Sequence, residues 1–293
     1  MSRGAACSCP VRDDHVLALT RWVARLVIPF LLGAFLVLWG TPDRTTAFFA
    51  WTIHPTMTPI VMGAGYGAGV YFFYRVATAD AWHRVAPVFV GITAFTWFMA
   101  AATALHWGNF NHAHPTFPIW VVLYAVTPVL VPVVWWRNRR TDPVERAPGD
   151  PRLPRGVQYV GGAVGVVITL GAVAAFLDPS LLIDAWPWTL SPFTAQIVAG
   201  WLGLFGVAHC VVPFEPRWSS YRVLVQSEWL GFAFILVGVA RAWADFDPSN
   251  PLTWGFVGGL LVYAAAVGYL YYRMEAAEAG ASSRPGAAER PPG

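Results

Sequence analysis

The chain has 293 residues, of which 56% are hydrophobic and only 12% charged, with a mean hydropathy of +0.50; soluble domains carry about 25% charged residues, so a water-exposed globular surface is excluded. The formal charge of +3 rests on 19 basic residues, all Arg, and these sit in loops and tails rather than on one face, which excludes a nucleic-acid groove. Cysteines at Cys7, Cys9 and Cys210 are too few for a disulfide framework.

In chain order, residues 1–21 read as a cytoplasmic tail, whose Cys7-Ser8-Cys9 lacks the ligand number and spacing of a zinc site. The apolar run 22–39 follows a polar lead with Asp13 and Asp14, and no small-residue cleavage site ends it. It therefore reads as a retained first span and not as a signal peptide. A span needs about 20 apolar residues, and the runs at 22–39, 57–76, 86–105, 117–136, 157–176, 193–213, 221–242 and 252–272 meet that length. They divide into a first four-helix unit at 22–136, an Arg/Pro-rich cytoplasmic linker at 137–156, and a second unit at 157–272. The tail 273–293 is rich in Ala, Gly, Pro and Ser and is expected to be flexible. With the N-terminus inside, seventeen Arg fall on the cytoplasmic side and two, Arg44 and Arg241, outside. Basic loops are retained in the cytoplasm, which predicts an inner-membrane protein with both termini cytoplasmic.

A shift of 137 residues pairs Trp51 with Trp188, Pro55 with Pro192 and Gly63 with Gly200, and a shift of 136 pairs Trp107 with Trp243, Phe110 with Phe246 and Pro115 with Pro251. Trp and Pro recurring in order at fixed spacing indicate duplication. The expected fold class is an all-α integral membrane protein of eight transmembrane helices, built as two four-helix units in parallel repeat. The repeated Trp segments read as interfacial anchors.

Chemistry-bearing residues are few. His54, His106, His112 and His114 fall at the outer ends of the first unit and form a candidate metal or haem ligand set; their convergence into one polar concavity is expected from antiparallel span ends. Asn109 and Asn111 would serve as supporting partners. In the second unit Glu228, His209 and Gln226 lie within or beside the spans at similar depth, and ionisable groups there default to functional candidates. They would line a ligand or ion path. Arg241 with Asp245 four residues on reads as a local ion pair. No nucleophile elbow, Walker loop or HExxH occurs within the spans. Three functions follow: a small-solute or ion permease with a path between pseudo-symmetric halves, a membrane redox protein binding metal or haem at the outer His set, or a scaffold subunit. The partners expected are the lipid bilayer and a small solute or ion, with no nucleic acid.

Overall fold

The computed structural model describes residues 12–147 and 149–282; Cys7, Cys9 and the chain after Ser282 lie outside the described residues. All regular structure among these is helical apart from one isolated bridge between Arg152 and Arg217. Helix α1 (Ala18–Phe35) runs into a π turn at Leu36–Gly40 and is followed by the short α2 (Thr45–Phe48), then α3 (Met57–Thr78), α4 (Ala86–Leu105) and α5 (Thr116–Asn138). After the linker come α6 (Arg155–Leu177), the short α7 (Ser180–Ala185), α8 (Pro192–Cys210), α9 (Trp218–Arg241) and α10 (Pro251–Ser282).

Seven of the eight long helices are long and apolar enough to cross a membrane, so the chain is a multi-pass membrane protein. The exception is α3, whose 22 residues are diluted by four glycines and three tyrosines. It is also an inner helix, packed against α1 and α9, where small residues let backbones approach. Like its neighbours, α3 runs from one end of the bundle to the other. At one end, Asn138 Oδ1 accepts from Leu17 N–H (2.9 Å) and the Thr20 hydroxyl (2.7 Å), and Arg21 donates to the Ala79 carbonyl just past α3 (2.9 Å). At the other, Asp245 Oδ2 accepts from Met57 N–H at the start of α3 (2.6 Å), and the Trp188 indole donates to Thr58 Oγ1 (2.9 Å).

The inner layer joins the halves through α3 on α9 and α4 on α8; outside it, α1 packs on α3, α5 on α4, α6 on α8 and α10 on α9. Replacing α1, α3, α4 and α5 by α6, α8, α9 and α10, and the reverse, maps this set of contacts onto itself. Ring geometry recurs as well. Trp51 meets Phe110 at 5.0 Å and 74° and Trp120 at 4.8 Å and 79°. Trp188 meets Phe246 at 5.3 Å and 72° and Phe256 at 5.2 Å and 84°.

Two expectations are corrected. The stretch from Ala276 to Ser282 continues α10; its Ala and Glu are good helix formers, and Glu275 and Glu278 pair with Arg222. Arg241 does not pair with Asp245, because α9 ends at Arg241 and the helical spacing stops applying. Its guanidinium donates to the Trp39 carbonyl (2.7 Å) and stacks over the Trp39 ring, while Asp245 caps α3.

In the second half, the backbones of α6 and α8 approach closely. A Cβ at Gly165 would lie 2.6 Å from Cys210 N and 2.7 Å from the His209 carbonyl carbon. Both atoms are backbone and cannot rotate away. Gly165→Val should therefore destabilise the bundle by about 1–3 kcal/mol, read as a lower melting temperature in detergent. Gly171, with open space beside it, is the control: Gly171→Val should leave that temperature nearly unchanged.

Candidate functional site

Three of the four histidines at the Trp-rich end are placed by a local contact. His106 caps α4, lies with its ring 4.9 Å from Phe193 in a tilted contact and has Nε2 2.6 Å from Gln196 Oε1. His112 Nε2 bonds the Trp107 carbonyl (2.9 Å) and His114 Nε2 the Ala47 carbonyl (3.1 Å). His54 is exposed on the loop before α3, with no hydrogen bond. Among the described residues no group of three or more His, Cys, Asp or Glu is arranged to hold a metal ion. The cleft at this end, of about 410 Å³, is lined instead by Trp51, Thr52, Asn109, Phe110, Asn111, Ser191, Phe193 and Thr194. It lies where the two halves meet, with none of the four imidazoles in its wall. Ser191 is held there by a reciprocal capping box with Thr194 at the start of α8.

Inside the second half, Glu228, His209 and Tyr263 form a polar line. His209 Nδ1 lies 2.9 Å from the Phe205 carbonyl, which can only accept, so Nδ1 carries a proton. His209 Nε2 is 3.1 Å from the Tyr263 hydroxyl, which is also 3.1 Å from Glu228 Oε2. One phenolic proton is thus shared between an imidazole and a carboxyl. Glu228 Oε1 stands 3.6 Å from His209 Nδ1, outside hydrogen-bond length, and is buried with no hydrogen-bond partner. Gln226 belongs to a separate network: its Oε1 accepts from the Tyr71 hydroxyl (2.6 Å) and Arg75 (2.7 Å), and its amide donates to Tyr271 (2.9 Å). Tyr263 comes from α10, and no spacing in the sequence links it to Glu228.

Glu228 also lines an almost wholly apolar cavity of about 380 Å³. Its wall takes residues from both halves, among them Tyr66, Phe95 and Tyr124 from the first and Trp201, Phe205 and Glu228 from the second. Gly65 makes room for Trp201, since a Cβ there would lie 2.3 Å from the indole.

The Arg-rich end holds a polar cluster that sequence patterns do not reveal, because its members are far apart in the chain. Asp14 bonds His83 Nδ1, and His83 Nε2 is 2.9 Å from Ser219 Oγ. This order resembles a nucleophile relay, but Ser219 Oγ donates to Asp150 Oδ2 (2.7 Å) and the first N–H groups of α9 are all bonded, Trp218 to Pro151 O and Ser220 to Arg217 O. With no free N–H to meet an oxyanion, the cluster is a clasp joining the N-terminal segment, the connection between α3 and α4, the linker and the start of α9. Beside it, Arg217 forks onto both oxygens of Asp142 at 2.9 Å each and reaches Glu215 at 2.8 Å. Partial burial works against the charged form of Asp142. The Arg217 guanidinium and the Val144 N–H outweigh it and hold the carboxyl below its usual range.

No known protein family and no solved structure matches the chain. One stretch is 30% identical over 112 residues to a heme A synthase of Bradyrhizobium sp. (strain ORS 278), covering 36% of this chain and 31% of that protein. The match thus spans about a third of the relative's length.

Proposed function

We propose that the chain is an eight-span inner-membrane protein of two related four-helix halves, with both termini cytoplasmic, acting as a permease that takes a small apolar solute into a chamber between them. The chamber walled from both halves by apolar side chains carries this reading. α3, running end to end with its neighbours, supports the eighth span, and the recurring ring geometry supports the duplication. A bare ion is the poorer solute here, because stripping its hydration costs far more than one carboxyl returns. The purified protein in lipid nanodiscs should bind hexyloxybenzene saturably, one per chain, above the partition into empty nanodiscs. Ala68→Phe, which fills the chamber wall, should abolish that binding. Purely linear partition by the folded wild type rules the chamber out as a solute site.

A second reading, a haem-handling membrane protein, has the partial similarity to a heme A synthase in its favour. The residues as folded do not fit an axial ligand set. Of the seven histidines, only His15 and His54, both exposed, keep an unbonded Nε2. A stoichiometric Soret band in the gently purified protein would reinstate this reading, and its loss in His54→Ala or His106→Ala would identify the ligand.

A further inference from the structure

The chamber is apolar, yet a few polar atoms in its wall lack protein partners. Trp201 and Glu228 both line it, and both the Trp201 indole N–H and Glu228 Oε1 are buried without a hydrogen bond. The Glu228 side chain is 10% exposed. Tyr66 and Tyr124, also in the wall, bond to each other through their hydroxyls at 2.9 Å. That single bond uses one of two phenolic protons and leaves the other as a spare donor. All four residues lie well inside their helices α3, α5, α8 and α9. An unmet polar group in an apolar interior costs about 1–3 kcal/mol, and here the acceptor and donors belong to residues that line one cavity.

We propose that the chamber binds a neutral, lipid-soluble molecule carrying a hydroxyl that donates to Glu228 Oε1 and an ether or carbonyl oxygen that accepts from Trp201. The inference rests on the chamber reading above and names the class of solute. A purely apolar solute would fill the volume and leave every one of these atoms unmet. An organic cation would satisfy Glu228 and face the aromatic rings favourably, but it offers the Trp201 and tyrosine protons nothing to bond. Glu228 suits a hydroxyl in either protonation state, since a carboxyl retains a free acceptor lone pair when protonated. The cavity of about 380 Å³ falls within the size range of small-molecule sites.

The test compares 4-hexyloxyphenol, hexyloxybenzene and hexyltrimethylammonium on the full chain in nanodiscs, each corrected for partition into empty nanodiscs. The phenol should bind roughly tenfold or more tighter than hexyloxybenzene. Glu228→Leu should remove that advantage while leaving hexyloxybenzene binding in place, and Trp201→Phe should weaken the phenol several-fold. Because Glu228→Leu risks the fold, the comparison of ligands on the wild type stands by itself. Equal affinities for the phenol and hexyloxybenzene would overturn the inference while the chamber survives. Tightest binding by hexyltrimethylammonium would overturn it in favour of a cation site. If none of the three binds saturably, the chamber reading falls and this inference with it.

Discussion

Arg217→Met is expected to destabilise the protein by about 3–5 kcal/mol, the cost of leaving buried charges without their partner. The Arg217 side chain is 4% exposed and sits between Asp142 of the linker and Glu215 of the α8–α9 turn, each 16% exposed. Removing the guanidinium leaves two carboxylates facing each other with little water to separate them. The cost should fall mainly on those carboxylates, so adding Asp142→Asn and Glu215→Gln to Arg217→Met should recover most of the loss. The pH dependence follows from the depressed Asp142 carboxyl. A carboxyl whose folded pKa lies below its unfolded value of about 3.9 adds stability above that value and loses it as pH falls through the folded one. The wild type should lose its advantage over Arg217→Met below about pH 4, measured as unfolding midpoints in detergent across pH. A single variant within 1 kcal/mol of wild type at pH 7 would show the fork to be water-exposed and weak.

The helices were legible because bilayer thickness acts on one dimension of the sequence: a run of apolar residues of the right length has few alternatives in lipid. Their ends moved by a few residues where capping groups sat just outside the apolar run, as at Ser191. Partnerships across the bundle were less legible. The four-residue interval from Arg241 to Asp245 looks like a helical pair only while the helix continues, and it does not. Glu228 and His209 sit on antiparallel helices at comparable depth, which sequence can indicate. The Tyr263 hydroxyl between them arrives from α10 by tertiary packing alone. The histidines at the Trp-rich end face a similar limit. Three of the four imidazoles meet a nearer acceptor, two of them backbone carbonyls, before any second imidazole, and spacing in a loop does not encode which comes first.

The repeated tryptophans allow related positions to be compared within one molecule. Trp51 is 4% exposed and Trp188 3%, and both rings hold matching aromatic contacts, so Trp51→Ala and Trp188→Ala should each cost about 3–5 kcal/mol. Phenylalanine should separate them. The Trp51 indole N–H has no partner, so Trp51→Phe gives up packing alone. The Trp188 indole donates to Thr58 Oγ1 at 2.9 Å, and Thr58 is 0% exposed. Trp188→Phe strands that hydroxyl and should cost about 1–3 kcal/mol more than Trp51→Phe. Adding Thr58→Val should return most of the difference, since neither partner is then left unmet. The bond also joins the halves, because Trp188 follows α7 and Thr58 lies in α3. Two tryptophans with like ring contacts thus differ where one half touches the other. Equal losses for the two Phe variants would show that this crossing bond adds nothing to stability, leaving packing and the other crossing bonds, such as Met57 N–H to Asp245 and Arg75 to Gln226, to join the halves.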